Sequence, residues 1–182
     1  MIIITPSKKR TAPGLSLRNK LVEFWPLNET SGTRFGSVNG INLSDNNTVG
    51  NAAGTCSSTA SLFTSANNEY LSSSDNALSF GDTDCSFSGW FYPTIIDNDG
   101  KDIFGRNTAS EYFLELYGNA PYNFRWRYGS GDLDNQESSV TLNAWNFFVC
   151  WHDSINNIVG YTINGTTRTL SYSSGAPSAG SP

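Results

Sequence analysis

Four groups of side chains have the types and spacing that chemistry needs. Glu111 and Glu115, in Glu111-Tyr-Phe-Leu-Glu115, share one face of an extended segment. Retaining cleavage of a glycosidic bond needs two carboxyl groups about 5–5.5 Å apart. Four residues of strand span about 13 Å, and Phe113 stands where a middle acid would be. The spacing therefore argues against an enzyme, with no catalytic residue assigned, and Glu115 is expected to pair with Arg125. His152, the single histidine, lies between Trp151 and Asp153 with no nucleophile-elbow motif nearby, and reads as a strand-end residue. Asp97, Asp99 and Asp102 offer hard oxygens to calcium, although the glycine of Asp97-Asn-Asp-Gly-Lys-Asp102 comes too early for a calcium loop. No cofactor is required; calcium is the one metal these acids suggest. Finally, Tyr122, Tyr128, Asp132, Asp134 and Asn135 are placed to meet at one end of a hairpin. Aromatic faces stack on pyranose rings and planar carboxylates or amides bond their hydroxyls, so these five are the candidate glycan-binding residues.

The elements that must carry these residues read as strands. Cys85 to Pro93 alternates, with Phe87, Gly89 and Phe91 on one face and Ser86, Ser88, Trp90 and Tyr92 on the other. Large aromatics on both faces mark a central strand of a sandwich, and Trp90 and Phe91 are expected to hold two sheets together. Trp145 to Trp151 alternates in the same two-sided way. Leu21–Leu27, Ile41–Ser44, Ala60–Thr64, Glu69–Ser73, Ile103–Arg106 and Glu111–Tyr117 are further strands, with loops at 46–59 and 131–137. Phe124–Tyr128 closes a hairpin over Gly118-Asn-Ala-Pro121, in a register that sets Leu114 opposite Trp126, Glu115 opposite Arg125 and Phe113 opposite Arg127. Val159–Ile163 turns at Asn164-Gly165 into Arg168–Tyr172. No amphipathic helix is expected.

The totals agree with an all-β domain. A chain of 182 residues has 17 glycines, 7 prolines, 13% aromatics and only 15% charged residues. Cys56, Cys85 and Cys150 form neither a zinc pattern nor a full disulfide framework; Cys85 and Cys150 read as buried free thiols, with a single bridge as the alternative. Sequons at Asn28, Asn42, Asn46 and Asn164 are not read as glycan sites in so Asn-rich a chain. No apolar run reaches the length of a membrane helix, and no membrane insertion is expected. Residues 1–20 hold five of the eleven basic residues (Lys8, Lys9, Arg10, Arg18 and Lys20) and no acid, so a basic arm precedes an acidic body. Residues 1–19 are expected to be an extended arm whose Ile2, Ile3 and Ile4 add a strand to a neighbour's sheet, with Lys8, Lys9 and Arg10 anchoring on an acidic partner. Nucleic acid is not an expected partner, because an acidic body repels phosphate.

Three segments in order resemble a family: Leu21-Val-Glu-Phe-Trp-Pro-Leu-Asn-Glu29 with Ser31-Gly32, Phe87-Ser-Gly-Trp-Phe-Tyr-Pro93, and Trp145-Asn-Phe-Phe-Val-Cys-Trp-His-Asp153 leading to Gly160-Tyr-Thr-Ile-Asn-Gly165. Together they resemble the laminin G-like domains of the concanavalin A-like lectin/glucanase superfamily. The resemblance implies a two-sheet antiparallel β-sandwich, a jelly roll, over residues 20–176, with a flexible end at 177–182. It also implies an acid after the first turn, where Arg34-Phe-Gly-Ser37 has none. A further strand beside the first is implied past a Gly/Ser/Pro loop; with Pro182 the last residue, either the sequence is a fragment or that position is left for another chain to fill.

The function expected from these residues is a non-enzymatic recognition module on a surface. Its first form is a virion structural protein of a phage (capsid decoration, fibre or tail) at the virion surface. There the N-terminal arm would contact other subunits of the assembly and the sandwich would hold cell-surface glycans of the host. The alternative is a carbohydrate-binding or adhesion domain of a larger secreted bacterial protein, extracellular or on the cell surface. A glycoside hydrolase comes third.

Overall fold

The computed structural model describes residues 20–106, 111–119, 121–129, 131–137 and 139–172, together with the backbone of 2–5. Its strands are β1 (Ile2–Thr5), β2 (Glu23–Trp25), β3 (Ser44–Asn46), β4 (Gly50–Ala53), β5 (Thr59–Leu62), β6 (Tyr70–Ser72), β7 (Cys85–Phe91), β8 (Lys101–Arg106), β9 (Tyr112–Tyr117), β10 (Tyr122–Tyr128), β11 (Gly131–Glu137), β12 (Asn146–Asp153), β13 (Ile158–Ile163) and β14 (Thr166–Ser171). A six-stranded sheet in the order β14-β13-β12-β7-β1-β2 faces a four-stranded sheet in the order β11-β10-β9-β8, and β3-β6 and β4-β5 form two small ribbons. Every pairing is antiparallel. This is the expected β-sandwich, and two short 3-10 turns, at Ser65–Asn67 and Asn76–Leu78, interrupt the run of strands.

The core is aromatic because the inward positions of the central strands are aromatic. On β7, Cys85, Phe87 and Gly89 are buried and Ser86, Ser88 and Trp90 are half-buried, the period of two that a sheet with one core face imposes. Phe87 meets Trp126 of the facing sheet with ring centroids 5.5 Å apart, and Phe124 meets Tyr161 at 4.7 Å. The buried indole N–H of Trp126 donates to the carbonyl of Trp151 at 3.0 Å, which ties the two sheets by a polar bond as well. Cys85 and Cys150 are buried and free; Cys56 is free and exposed. Burial pushes the Cys85 thiol up to about 12.

The hairpin register holds residue for residue: Leu114 opposes Trp126, Glu115 opposes Arg125 and Phe113 opposes Arg127. Other expectations change. The segment from Gly131 to Glu137 is a strand and not a loop, paired along its length with β10. Gly50–Ala53, inside the expected loop 46–59, is also a strand. Ile2, Ile3 and Ile4, expected to add a strand to a neighbour's sheet, here pair within their own chain, with β2 on one side and β7 on the other. The open position beside the first strand is thereby filled from within the chain. Lys8, Lys9 and Arg10 lie outside the described residues.

Two buried charges set the loops. The Glu23 carboxylate, fully buried, accepts N–H bonds from Phe24 (2.9 Å), Val38 (2.7 Å), Asn39 (3.1 Å) and Ile41 (2.8 Å). A Cβ on Gly36 would sit 2.5 Å from that carboxylate, so glycine there lets the loop close. Arg34, also fully buried, donates to the carbonyls of Gly32, Val49 (2.9 Å) and Gly50 (3.2 Å) and to the Ser61 hydroxyl (3.0 Å). The absence of an acid at 34–37 has this structural counterpart: an arginine ties β4 and β5 to the turn after β2.

Candidate functional site

The β4–β5 hairpin that Arg34 holds forms one wall of a groove. Thr59 adds a second tie, donating from Oγ1 to the Asn28 carbonyl at 2.6 Å. The other wall is the outward face of the six-stranded sheet. Strand parity turns Phe24 of β2, Trp90 of β7 and Phe147 of β12 away from the core, and all three are half-buried. Trp90 and Phe147 lie with centroids 5.1 Å apart, and Tyr92 and Trp145, just beyond the strand ends, meet edge to face at 5.6 Å. Between the walls is a cavity of about 60 Å³ lined by Phe24, Pro26, Trp90 and Trp145 and, from the hairpin, by residues 54–57, Thr59 and Ala60.

The groove is apolar on the sheet side and hydroxyl-bearing on the hairpin side, through Thr55, Ser57 and Thr59. Ser57 donates to the Thr59 carbonyl, closing the loop on itself. Gly54 is required at the bend, since a Cβ there would sit 2.6 Å from the Thr59 carbonyl oxygen and 2.7 Å from that of Ser57. Leu27 follows Pro26 with φ +54°, left-handed for a non-glycine residue, where the chain turns from the sheet toward the hairpin. No carboxylate or histidine is among the lining residues. Stacking and hydrogen bonding are the chemistry this lining supplies.

The residues expected to bind glycan do not come together. Tyr122, Phe124, Trp126 and Tyr128 share one face of β10 and pack on the core. Tyr128 is fully buried, stacked 4.1 Å from His152 with its hydroxyl donating to the Gly81 carbonyl at 2.9 Å, so it cannot meet a sugar. Asn135 pairs with Phe124 in register. Asp132 and Asp134 instead pair with Arg127 and Arg125, on the opposite face. There they are occupied: Arg125 donates from Nε to Asp132 (2.8 Å) and from Nη1 to Glu115 (3.2 Å), and Tyr117 donates to Asp134. Those bonds from Arg125 hold the Asp132 carboxyl below the usual carboxylate range. Phe113 lies under both guanidinium groups, 5.2 Å from that of Arg125 and 5.9 Å from that of Arg127.

Glu111 and Glu115 serve separate partners. Glu111 is buried and accepts from the Phe80 N–H (2.7 Å) and the Ser79 hydroxyl (3.2 Å), with Arg106 3.3 Å away, while Glu115 joins Arg125 as expected. Asp97 pairs with Lys101 at 2.8 Å and accepts the Asp99 N–H at 3.1 Å, whereas Asp102 lies in β8 opposite Glu115. Among the described residues no three of His, Cys, Asp and Glu cluster as metal ligands, so the trio suggested for calcium is not assembled. His152 is a core residue within β12, its Nδ1 2.9 Å from the Thr83 carbonyl and its Nε2 bonded to the Tyr172 hydroxyl.

Residues 65–181 match the family model Laminin_G_3, described as the concanavalin A-like lectin/glucanases superfamily. The chain belongs to this family. Comparisons with curated proteins and with solved structures yield no match. The matched stretch of this concanavalin A-like domain contains Trp90 and Trp145 but not Phe24, Pro26 or residues 54–60. One wall of the groove thus falls in the family's matched region and the other lies before it. Sequence reasoning assigned Trp90 to the sheet-to-sheet contact together with Phe91. Phe91 does meet Phe124 and Phe148, at 6.4 and 6.1 Å, but Trp90 points outward. The available signal was its parity with Ser86 and Ser88, which places it on the polar side of β7.

Proposed function

We propose that this domain is a non-catalytic carbohydrate-binding or adhesion module, and that a sugar ring binds in the groove between the β4–β5 hairpin and the outward face of β2, β7 and β12. The observation that carries this reading is the pairing of Phe24, Trp90 and Trp145 with a hydroxyl-lined loop across a preformed cavity. The C–H face of a pyranose stacks on an indole, and hydroxyl and backbone groups of the loop then bond the ring's rim. Volume limits the ligand: about 60 Å³ admits one edge of a single ring, so a chain would lie across the mouth with one residue inserted. Family membership supports recognition of carbohydrate or of a cell surface at the coarse level. The test is a screen of the protein on immobilised glycans, followed by titration of each hit against tryptophan fluorescence. Saturable quenching that disappears in Trp145→Ala supports the reading. Glycan binding unaffected by both Trp90→Ala and Trp145→Ala, or no glycan bound at all, refutes it.

A further inference from the structure

Strand β1 occupies a slot and not an edge. Ile2–Ile4 pairs with Glu23–Trp25, and Ile2–Thr5 pairs with Ser86–Gly89. Strands β2 and β7 have no ladder with each other, so β1 alone joins β2 to the rest of the six-stranded sheet. Antiparallel neighbours need only a two-residue turn between them. Here the chain from Pro6 to Val22 separates β1 from β2. Fully extended, such a segment spans about 55 Å, against the roughly 5 Å between paired strands. Its length therefore does not oblige β1 to dock in the sheet of its own chain.

The slot itself demands an occupant. Without β1, the ladder edges of both β2 and β7 would stand open, and open edges template the addition of another strand. The register matches Ile2 with Trp25 and Gly89, and Ile4 with Glu23 and Phe87, and these four partners are all buried. Ile-Ile-Ile-Thr is β-branched throughout and carries neither charge nor proline, the chemistry of a strand that adds to a sheet.

We infer that the slot between β2 and β7 is a strand-acceptor site whose second occupant is the β1 strand of another copy of this chain. The bonds made in cis and in trans are the same, so the balance between them is set by the effective concentration that the 6–22 connection imposes and by protein concentration.

The experiment uses two full-length copies, each also carrying Cys56→Ser to remove the exposed thiol. One has Ile3→Cys and the other Ser88→Cys, positions that are Cα partners across β1 and β7. Partners on adjacent antiparallel strands lie about 4.5–5.5 Å apart, within disulfide reach. The copies are mixed at rising concentration, oxidised and separated without reductant, and the wild-type chain is weighed by light scattering over the same range. Expected are a cross-copy disulfide dimer whose fraction rises with concentration and falls at least fivefold when Ile4→Pro accompanies Ile3→Cys, and a wild-type species of twice the monomer mass. Absence of the cross-copy disulfide overturns the inference, whether or not a chain bearing both cysteines closes on itself. A cross-copy disulfide insensitive to Ile4→Pro overturns it too, since collision and not pairing would then have formed it.

Discussion

Trp90 and Phe147 face one another across β7 and β12, 5.1 Å between centroids, on the side of the sheet turned away from the core. The inward neighbours of the same strands, Phe87 and Phe148, are fully buried. One strand pair thus maintains two aromatic layers, an inner one that joins the sheets and an outer one that meets the β4–β5 hairpin. The outer layer is the one a ligand can reach, and its geometry is set by the same ladder that sets the core.

Replacing Trp145 by alanine is expected to weaken glycan binding about tenfold or more, the loss of roughly 1.4 kcal/mol of stacking. Trp145 lies before the start of β12 and takes no part in a ladder, so the melting temperature should fall only by what its edge-to-face contact with Tyr92 contributes. Trp151 lies on the same outward face of β12 but outside the groove, and Trp151→Phe should leave affinity unchanged. Paired titration and thermal unfolding of the two variants separate a ligand-stacking role from a structural one.

Gly54→Ala is expected to abolish binding with only a small effect on stability. The new Cβ collides with backbone carbonyls on the hairpin side and displaces the loop that closes the groove, while the core is untouched. Circular dichroism should keep its wild-type shape while the fluorescence titration loses its saturable phase.

Asp132→Asn and Asp134→Asn should leave glycan affinity at the wild-type value, because both carboxylates face the outside of the other sheet and are engaged by Arg125 and Tyr117. A part-exposed ion pair contributes under about 1 kcal/mol, so denaturant midpoints should shift only slightly. Loss of binding in either variant would move the site to the four-stranded sheet.

These contrasts show where sequence reasoning reaches and where it stops. The Glu115–Arg125 pairing is legible because one short turn and one alternation determine the register of β9 on β10. The strand Gly131–Glu137 is not, since its outward acids resemble a loop and only Leu133 marks the core among its described side chains. The five residues expected to bind glycan are divided by parity: Tyr122 and Tyr128 share a face with each other and not with Asp132 and Asp134. The groove was hidden for a different reason. Its hairpin consists of small residues held by Arg34, far away in sequence, and no local pattern announces a contact made by one long side chain.

Glu23 gives a pH signature. Burial alone would raise its pKa, but the backbone N–H groups of Phe24, Ile41, Val38 and Asn39 outweigh it and hold the carboxyl below 4.5. A carboxylate whose pKa is lower folded than unfolded adds stability above the unfolded value and loses it as pH falls through the folded one. Wild type should therefore lose stability below about pH 4.5 more steeply than Glu23→Gln, whose own cost at pH 7 is about 2 kcal/mol, as for hydrogen bonds to a charged group. Urea unfolding from pH 3 to pH 7 measures both, and parallel curves for the two proteins would show that Glu23 is not the titrating group.

Arg34 couples stability to the groove. Its guanidinium is buried and satisfies the carbonyls of Gly32, Val49 and Gly50 together with the Ser61 hydroxyl, and Asp45 lies 3.9 Å away. Arg34→Met keeps much of the volume but leaves those carbonyls and the Ser61 hydroxyl without their donor, a loss of about 3 kcal/mol. Arg34→Lys restores the charge with one compact donor group in place of a fork, and should recover only part of that loss. Because the hairpin hangs from this side chain, glycan affinity should fall in both variants in proportion to the freedom the hairpin gains. Hydrogen exchange reads that freedom directly: the amides of Gly50–Ala53 and Thr59–Leu62 should lose protection while those of Cys85–Phe91 keep theirs. Equal loss across both regions would mean that Arg34 holds up the whole sandwich and not the groove wall.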